Sequence, residues 1–237
     1  MRVPVLMYHY VECWQHGDPW RKRWLYVCPE AFDAQMALLA ARGWQTVTAP
    51  KLAAALRSGT CLPRKTFVVT LDDGWLSQYD EAAPILERYG FRGSFYVIVG
   101  RMLDSAGLPV QERQHFDVAQ AQDLVARGHA IGNHTMDHRR LARALSATLE
   151  HEIADAQRAL DDNGLGQSPL TFVYPYGSYS DAAEDYLAGQ GYVLAFTTRH
   201  GARESAANPL AARRLRVGRA TTPAALVRRM ARFRNPY

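Results

Sequence analysis

Short apolar runs alternate with helix-period segments along almost the whole chain. The clearest run is Thr66-Phe-Val-Val-Thr-Leu71, nearly continuous in apolar residues, as in a strand buried on both faces. Residues 3–8, 93–99, 129–133, 170–173 and 192–197 are the other expected strands. Between them, residues 29–42 set Phe32, Met36 and Leu39 at helical spacing. Further helices are expected over 51–56, 79–89, 117–127, 146–162, 180–189 and 222–233, with Ser146 as an N-cap. Residues 11–26 and 100–116 read as loops. Repeated β-α units imply parallel strands joined by right-handed crossovers. About seven units without a linker predict one barrel-like α/β domain over residues 1–237, with a doubly wound open sheet as the alternative.

The remaining counts exclude several classes. Cys13, Cys28 and Cys61 are odd in number and lack C-x-x-C spacing, so neither a disulfide framework nor an all-cysteine zinc site is expected; one bridge stays open. No run reaches the roughly 20 apolar residues of a membrane span. The N-terminal apolar run meets His9 where a signal peptide would continue, so a cytoplasmic location is expected, and a periplasmic or envelope one if a leader preceded it. The net charge of +5 is local. Residues 199–237 hold ten arginines against one acid, Glu204, while the rest is net acidic. Arg228, Arg229 and Arg232 read as a solvated helix face, and no nucleic-acid partner is expected.

In parallel α/β folds the reactive groups lie at the carboxyl ends of strands. Four such ends here carry polar residues. The first expected strand runs into His9, a candidate general acid. The second runs into Asp72-Asp73-Gly74. A carboxylate directly after a buried strand is costly unless it is paired or metal-bound, so one aspartate suits a metal and the other a base. The third runs into His134-Thr-Met-Asp-His138, where two histidines four apart on a helical turn can reach one metal ion. Two histidines and one carboxylate leave open coordination positions, as hydrolytic sites require. The fourth runs into Tyr174-Pro-Tyr-Gly177, a tight turn that could aim a backbone N–H into the barrel mouth.

Together these elements resemble the polysaccharide deacetylase family of metal-dependent carbohydrate esterases. The family's T-F-D-D-G is similar to Thr70-Leu-Asp-Asp-Gly74, its H-[ST]-x-x-H to His134–His138, and its R-x-P-Y-G to Val173-Tyr-Pro-Tyr-Gly177. The resemblance implies a distorted (β/α)7 barrel and a divalent metal, usually zinc, with cobalt, nickel or manganese as alternatives. It implies Asp73, His134 and His138 as ligands and Asp72 as base toward the attacking water. It also implies the Tyr176 N–H as an oxyanion donor and an N-acetylated carbohydrate as substrate. Val173 stands where the family has an arginine that orients the base, and no fourth motif is recognised. Val5-Leu-Met-Tyr-His9 looks like the family's late strand moved to the front. This resembles the circularly permuted poly-N-acetylglucosamine deacetylases and implies His9 as the acid, with His200 as a weaker alternative in a glycine-flanked loop. The tryptophans Trp14, Trp20 and Trp24 suit either a sugar platform or ordinary packing. A small or lipid-linked amide substrate, and a non-catalytic carbohydrate-binding relative, are the alternative functions.

Overall fold

A computed structural model describes residues 3–18, 20–201 and 208–232. The strands are β1 (Val5–Tyr8), β2 (Gln45–Thr46), β3 (Thr66–Asp73), β4 (Gly93–Val97), β5 (Ala130–Asn133), β6 (Leu170–Val173), β7 (Tyr192–His200) and β8 (Ala212–Arg216). The sheet order is β1-β8-β7-β6-β5-β4-β3-β2, and β1 also pairs with β3. Every strand pairing is parallel. The β1–β3 pairing closes seven strands into a barrel and leaves the two-residue β2 outside on β3. Closure decides for the barrel and against the open sheet.

Period-two alternation explains the layers. On β3, Phe67, Val69 and Leu71 join Met36, Leu39 and Leu86 in the layer between sheet and helices. Val68 turns the other way, into a cluster with Val5, Tyr96, Val173 and Phe196. Helix Ala49–Ser58 adds Ala49, Leu52 and Ala53 to that inner cluster, and the Ala49 N–H donates to Ser94 Oγ on β4. It plugs the end of the barrel at which the strands begin. The strand carboxyl ends are left as the open mouth.

Several expectations shift. Residues 100–116 are not a plain loop, because helix Val99–Ser105 and a 3-10 turn Val110–Glu112 occupy them. Seven residues give too few repeats for a periodic signal. Residues 11–26 contain a 3-10 turn, Trp20–Leu25. Helix 146–162 is Ser146–Leu149, a π-helical turn Glu150–Asp155 and Ala156–Asp162, with Leu145 rather than Ser146 at the N-cap position. The closing helix is Pro223–Ala231, capped by the Thr222 hydroxyl; Phe233 lies outside the described residues. β8 carries arginine at three of five positions and was not expected as a strand. Cys13 and Cys28 form one disulfide, and Cys61 is free and exposed. No described helix is long and apolar enough to cross a membrane.

Candidate active site

Parallel register brings the four strand ends together. Tyr8 is level with Leu71, so His9 follows beside Asp72. Asp73 is level with Val97, and Val97 with Asn133, so His134 emerges one residue beyond the same level. His9, Asp72, Asp73 and His134 line one cavity of about 500 Å³ at the barrel mouth, together with His138, Tyr176 and Trp24.

Alternation would send Asp72 and Asp73 to opposite faces. Asp73 instead has φ 79°, a left-handed backbone that turns its carboxylate back over the mouth. The described non-glycine residues at positive φ are Asp73, Thr135, His138 and Tyr176, all in the three motifs around this cavity. Such strain costs of order 1–3 kcal/mol per residue and collects where function over-determines the backbone. The expected helical turn over 134–138 is therefore a strained loop. Buried Asn133 fixes its start by accepting the Thr135 N–H at 2.8 Å, and the Thr135 hydroxyl accepts the His138 N–H at 2.9 Å. The Glu152 backbone carbonyl and carboxylate accept the N–H groups of Met136 and Asp137.

Asp73 Oδ1 lies 3.3 Å from His134 Nε2 and 3.4 Å from His138 Nε2, and the two nitrogens are 3.1 Å apart. His134 Nδ1 is 2.6 Å from the Val173 carbonyl, which can only accept, so Nδ1 donates there and the tautomer this selects keeps its lone pair at Nε2, toward the other two atoms. Burial, then His134, push the His138 imidazole down to about 4, so it is neutral near pH 7. Three lone-pair atoms facing one point match a metal site. Donors held ~2.1 Å from a tetrahedral ion stand about 3.4 Å apart. The residues therefore fit a divalent ion.

The Asp73 carboxylate is gripped from behind. Trp75 Nε1 donates to Asp73 Oδ2 at 3.0 Å, and the Trp75 ring stacks between Tyr10 and His115, each centroid 4.3 Å away. Trp75→Phe should keep the stack and lose the hydrogen bond. Expected is metal binding weakened roughly 10- to 100-fold, with a fold that still melts cooperatively. Competition against a chromophoric chelator measures this, and an unchanged affinity would contradict it.

Asp72 is 1% exposed and meets a fully buried guanidinium. Arg214 Nη1 and Nη2 donate to its two oxygens at 2.6 and 2.7 Å. Arg214 also donates to Thr70 Oγ1 and to the Thr197 carbonyl. Burial would raise the Asp72 carboxyl, but Arg214 and then His9 outweigh it and hold it below the usual range. His9 Nε2 is 3.9 Å from Asp72 Oδ2. Burial lowers the His9 imidazole against the opposing pull of Asp73 and Asp72. Gln78 fixes this corner by donating to the carbonyls of His9 and Asp72.

Tyr176 has φ 58° and a half-exposed ring between His138, 4.6 Å away, and the Arg140 guanidinium, 4.2 Å away. Gly177 is required after it, because a Cβ there would sit 2.3 Å from Thr198 Oγ1. Of the three loop tryptophans only Trp24 lines the cavity, with its ring 6.4 Å from His9. The Cys13–Cys28 bridge ties off the loop that carries it.

The structure thus brings together His9, Asp72, Asp73, His134, His138 and Tyr176. His200 is not among them: it is the exposed last residue of β7, not a loop residue. Arg214 and Trp75 were missed. Arg214 is 142 residues from Asp72, and its only signal is an arginine on the alternating stretch Ala-Arg-Arg-Leu-Arg. No signal marked Trp75.

Comparison with known proteins places relatives beside this chain. Residues 59–195 match the polysaccharide deacetylase family. YxkH of Bacillus subtilis (strain 168), which carries the provisional name polysaccharide deacetylase, is 28% identical over 216 residues, 91% of this chain and 71% of that one. The poly-β-1,6-N-acetyl-D-glucosamine N-deacetylase of Escherichia coli (strain K12) is 26% identical over 76% of this chain, which spans only 32% of that enzyme. The Streptococcus pyogenes deacetylase PplD, solved with acetate, superposes with a TM-score of 0.88 at 26% identity, covering 97% of this chain and 98% of that one. With the closed barrel and the three ordered motifs at its mouth, this chain belongs to the polysaccharide deacetylase family.

Proposed function

We propose that this chain is a metal-dependent hydrolase that removes the acetyl group from an N-acetylated sugar. The observation that carries the reading is the convergence of Asp73, His134 and His138 beside a buried carboxylate–guanidinium pair in one cavity. Asp73, His134 and His138 would hold the ion, with zinc favoured and cobalt, nickel or manganese tolerated by the same donors. When bound, the ion supplies Lewis-acid polarisation and lowers the pKa of water.

The chain's own groups do the rest. Asp72, held ionised and fixed by Arg214, takes the proton of the attacking water. His9, whose Nε2 lies 3.9 Å from Asp72, passes that proton on to the departing amine. The Tyr176 N–H, fixed by the strained turn, supports the developing oxyanion. Trp24 offers an aromatic face to a pyranose ring. The Cys13–Cys28 bridge favours an oxidising compartment, so the proposed location is the cell envelope.

The named substrate of the E. coli relative makes N-acetylglucosamine oligomers the first assay. Acetate release should appear with the wild type and fall roughly 10²- to 10⁴-fold in Asp72→Asn. Full-rate release by that variant would remove Asp72 from the mechanism. Turnover of small amides alone would redirect the substrate.

A further inference from the structure

One buried histidine at the mouth has no part in this chemistry. His115 lines the catalytic cavity and is 7% exposed. Its backbone is pinned against Trp75: the Leu76 N–H donates to the Gln114 carbonyl at 2.8 Å and the Phe116 N–H to the Gly74 carbonyl at 3.1 Å. Its ring stacks on Trp75 at an interplanar angle of 25°. His115 Nδ1 is 3.1 Å from the Asp73 backbone carbonyl, which can only accept, so Nδ1 donates there and the tautomer this selects keeps its lone pair at Nε2.

Among the described residues, no protein group hydrogen-bonds to His115 Nε2. Polar atoms of buried side chains nearly always find a partner, so this one is left to whatever enters the cavity. The neighbouring groups are already engaged. Arg214 holds Asp72, Trp75 and the two histidines hold Asp73, and the Val173 carbonyl holds His134 Nδ1. A rigid acceptor of this kind binds a donor without first being ordered. An N-acetylated sugar brings two kinds of donor, its amide N–H and its hydroxyls. The amide nitrogen is the leaving group and takes its proton from His9, so a hydroxyl is the donor left for Nε2.

We propose that His115 is a specificity-determining residue whose Nε2 accepts a hydrogen bond from a ring hydroxyl of the bound sugar and so selects against sugars that lack it. This rests on the hydrolase reading and adds a substrate contact to it. A sugar with hydrogen in place of that hydroxyl leaves Nε2 unpaired inside the occupied cavity, and the cost falls on binding.

The test uses the metal-loaded protein and three β-1,6-linked trimers of N-acetylglucosamine: the parent, and its 3-deoxy and 4-deoxy forms altered in every residue. His115→Asn keeps a donor for the Asp73 carbonyl and has no group at the Nε2 position; His115→Phe keeps the ring stack and lacks both polar atoms. For the wild type, kcat/KM of at least one deoxy trimer should fall roughly five- to tenfold below the parent. In both variants the penalty on one deoxy trimer should shrink about fivefold while the other ratio stays, and the loss on the parent should appear in KM rather than kcat. His115→Asn should still hold one equivalent of metal. A merely structural role would lower all three substrates together and leave their ratios unmoved; that result, or a wild type without any deoxy penalty, overturns the proposal. If one variant fails to melt cooperatively, the other decides. Calorimetric binding of the same three compounds is read alongside. Absence of turnover of all three by the wild type would sink the hydrolase reading, and the binding ratios would then decide this proposal alone.

Discussion

Arg214→Met is expected to lose roughly 3–5 kcal/mol of stability and nearly all turnover. The guanidinium is fully buried and makes four hydrogen bonds, two of them to Asp72. Methionine fills much of the volume but leaves the Asp72 carboxylate buried without a counter-charge. Such a group neutralises rather than stay charged, and a protonated Asp72 no longer accepts a proton from water. The double variant Arg214→Met/Asp72→Asn should regain most of the lost stability, because no lone charge remains, and none of the turnover. Denaturant melts of both variants separate the effects. If the single variant were as stable as wild type, or kept its rate, the pair would be incidental to the site.

His138→Ala should remove the metal at little structural cost. His138 is partly exposed, whereas His134 is 2% exposed and hydrogen-bonded to Val173. With one of three donors gone, bound metal should fall from one equivalent to near zero after dialysis, and turnover by at least about 10²-fold. Its melting temperature without metal should match that of metal-stripped wild type. Retention of a full equivalent would place the ion elsewhere.

Part of this site is legible in the sequence. A buried strand running directly into two aspartates is legible, because burial makes unpaired carboxylates expensive. The meeting of His9 with Asp72 is legible once the strands are taken as parallel, since register then does the work. Val173 could be seen to replace the family's arginine, but not where the compensation came from. Arg214 lies among arginines whose number reads as a solvated surface, on a strand in which polar residues hide the apolar period. The loop at His134–His138 was hidden for another reason. Its shape is set by Asn133 and by Glu152 from a distant helix, and spacing alone favours a helical turn. The grip of Trp75 on Asp73 depends on ring stacking with Tyr10 and His115, which adjacency in sequence does not display.

The proposed release of acetate needs one divalent ion on Asp73, His134 and His138. The direct measurement is metal content and acetate release from N-acetylglucosamine oligomers on one preparation, before chelation, after it and after adding metal back. One equivalent of metal, loss of release on chelation and recovery on restoring the ion are expected. Acetate release that continues unchanged in the metal-free protein would contradict it.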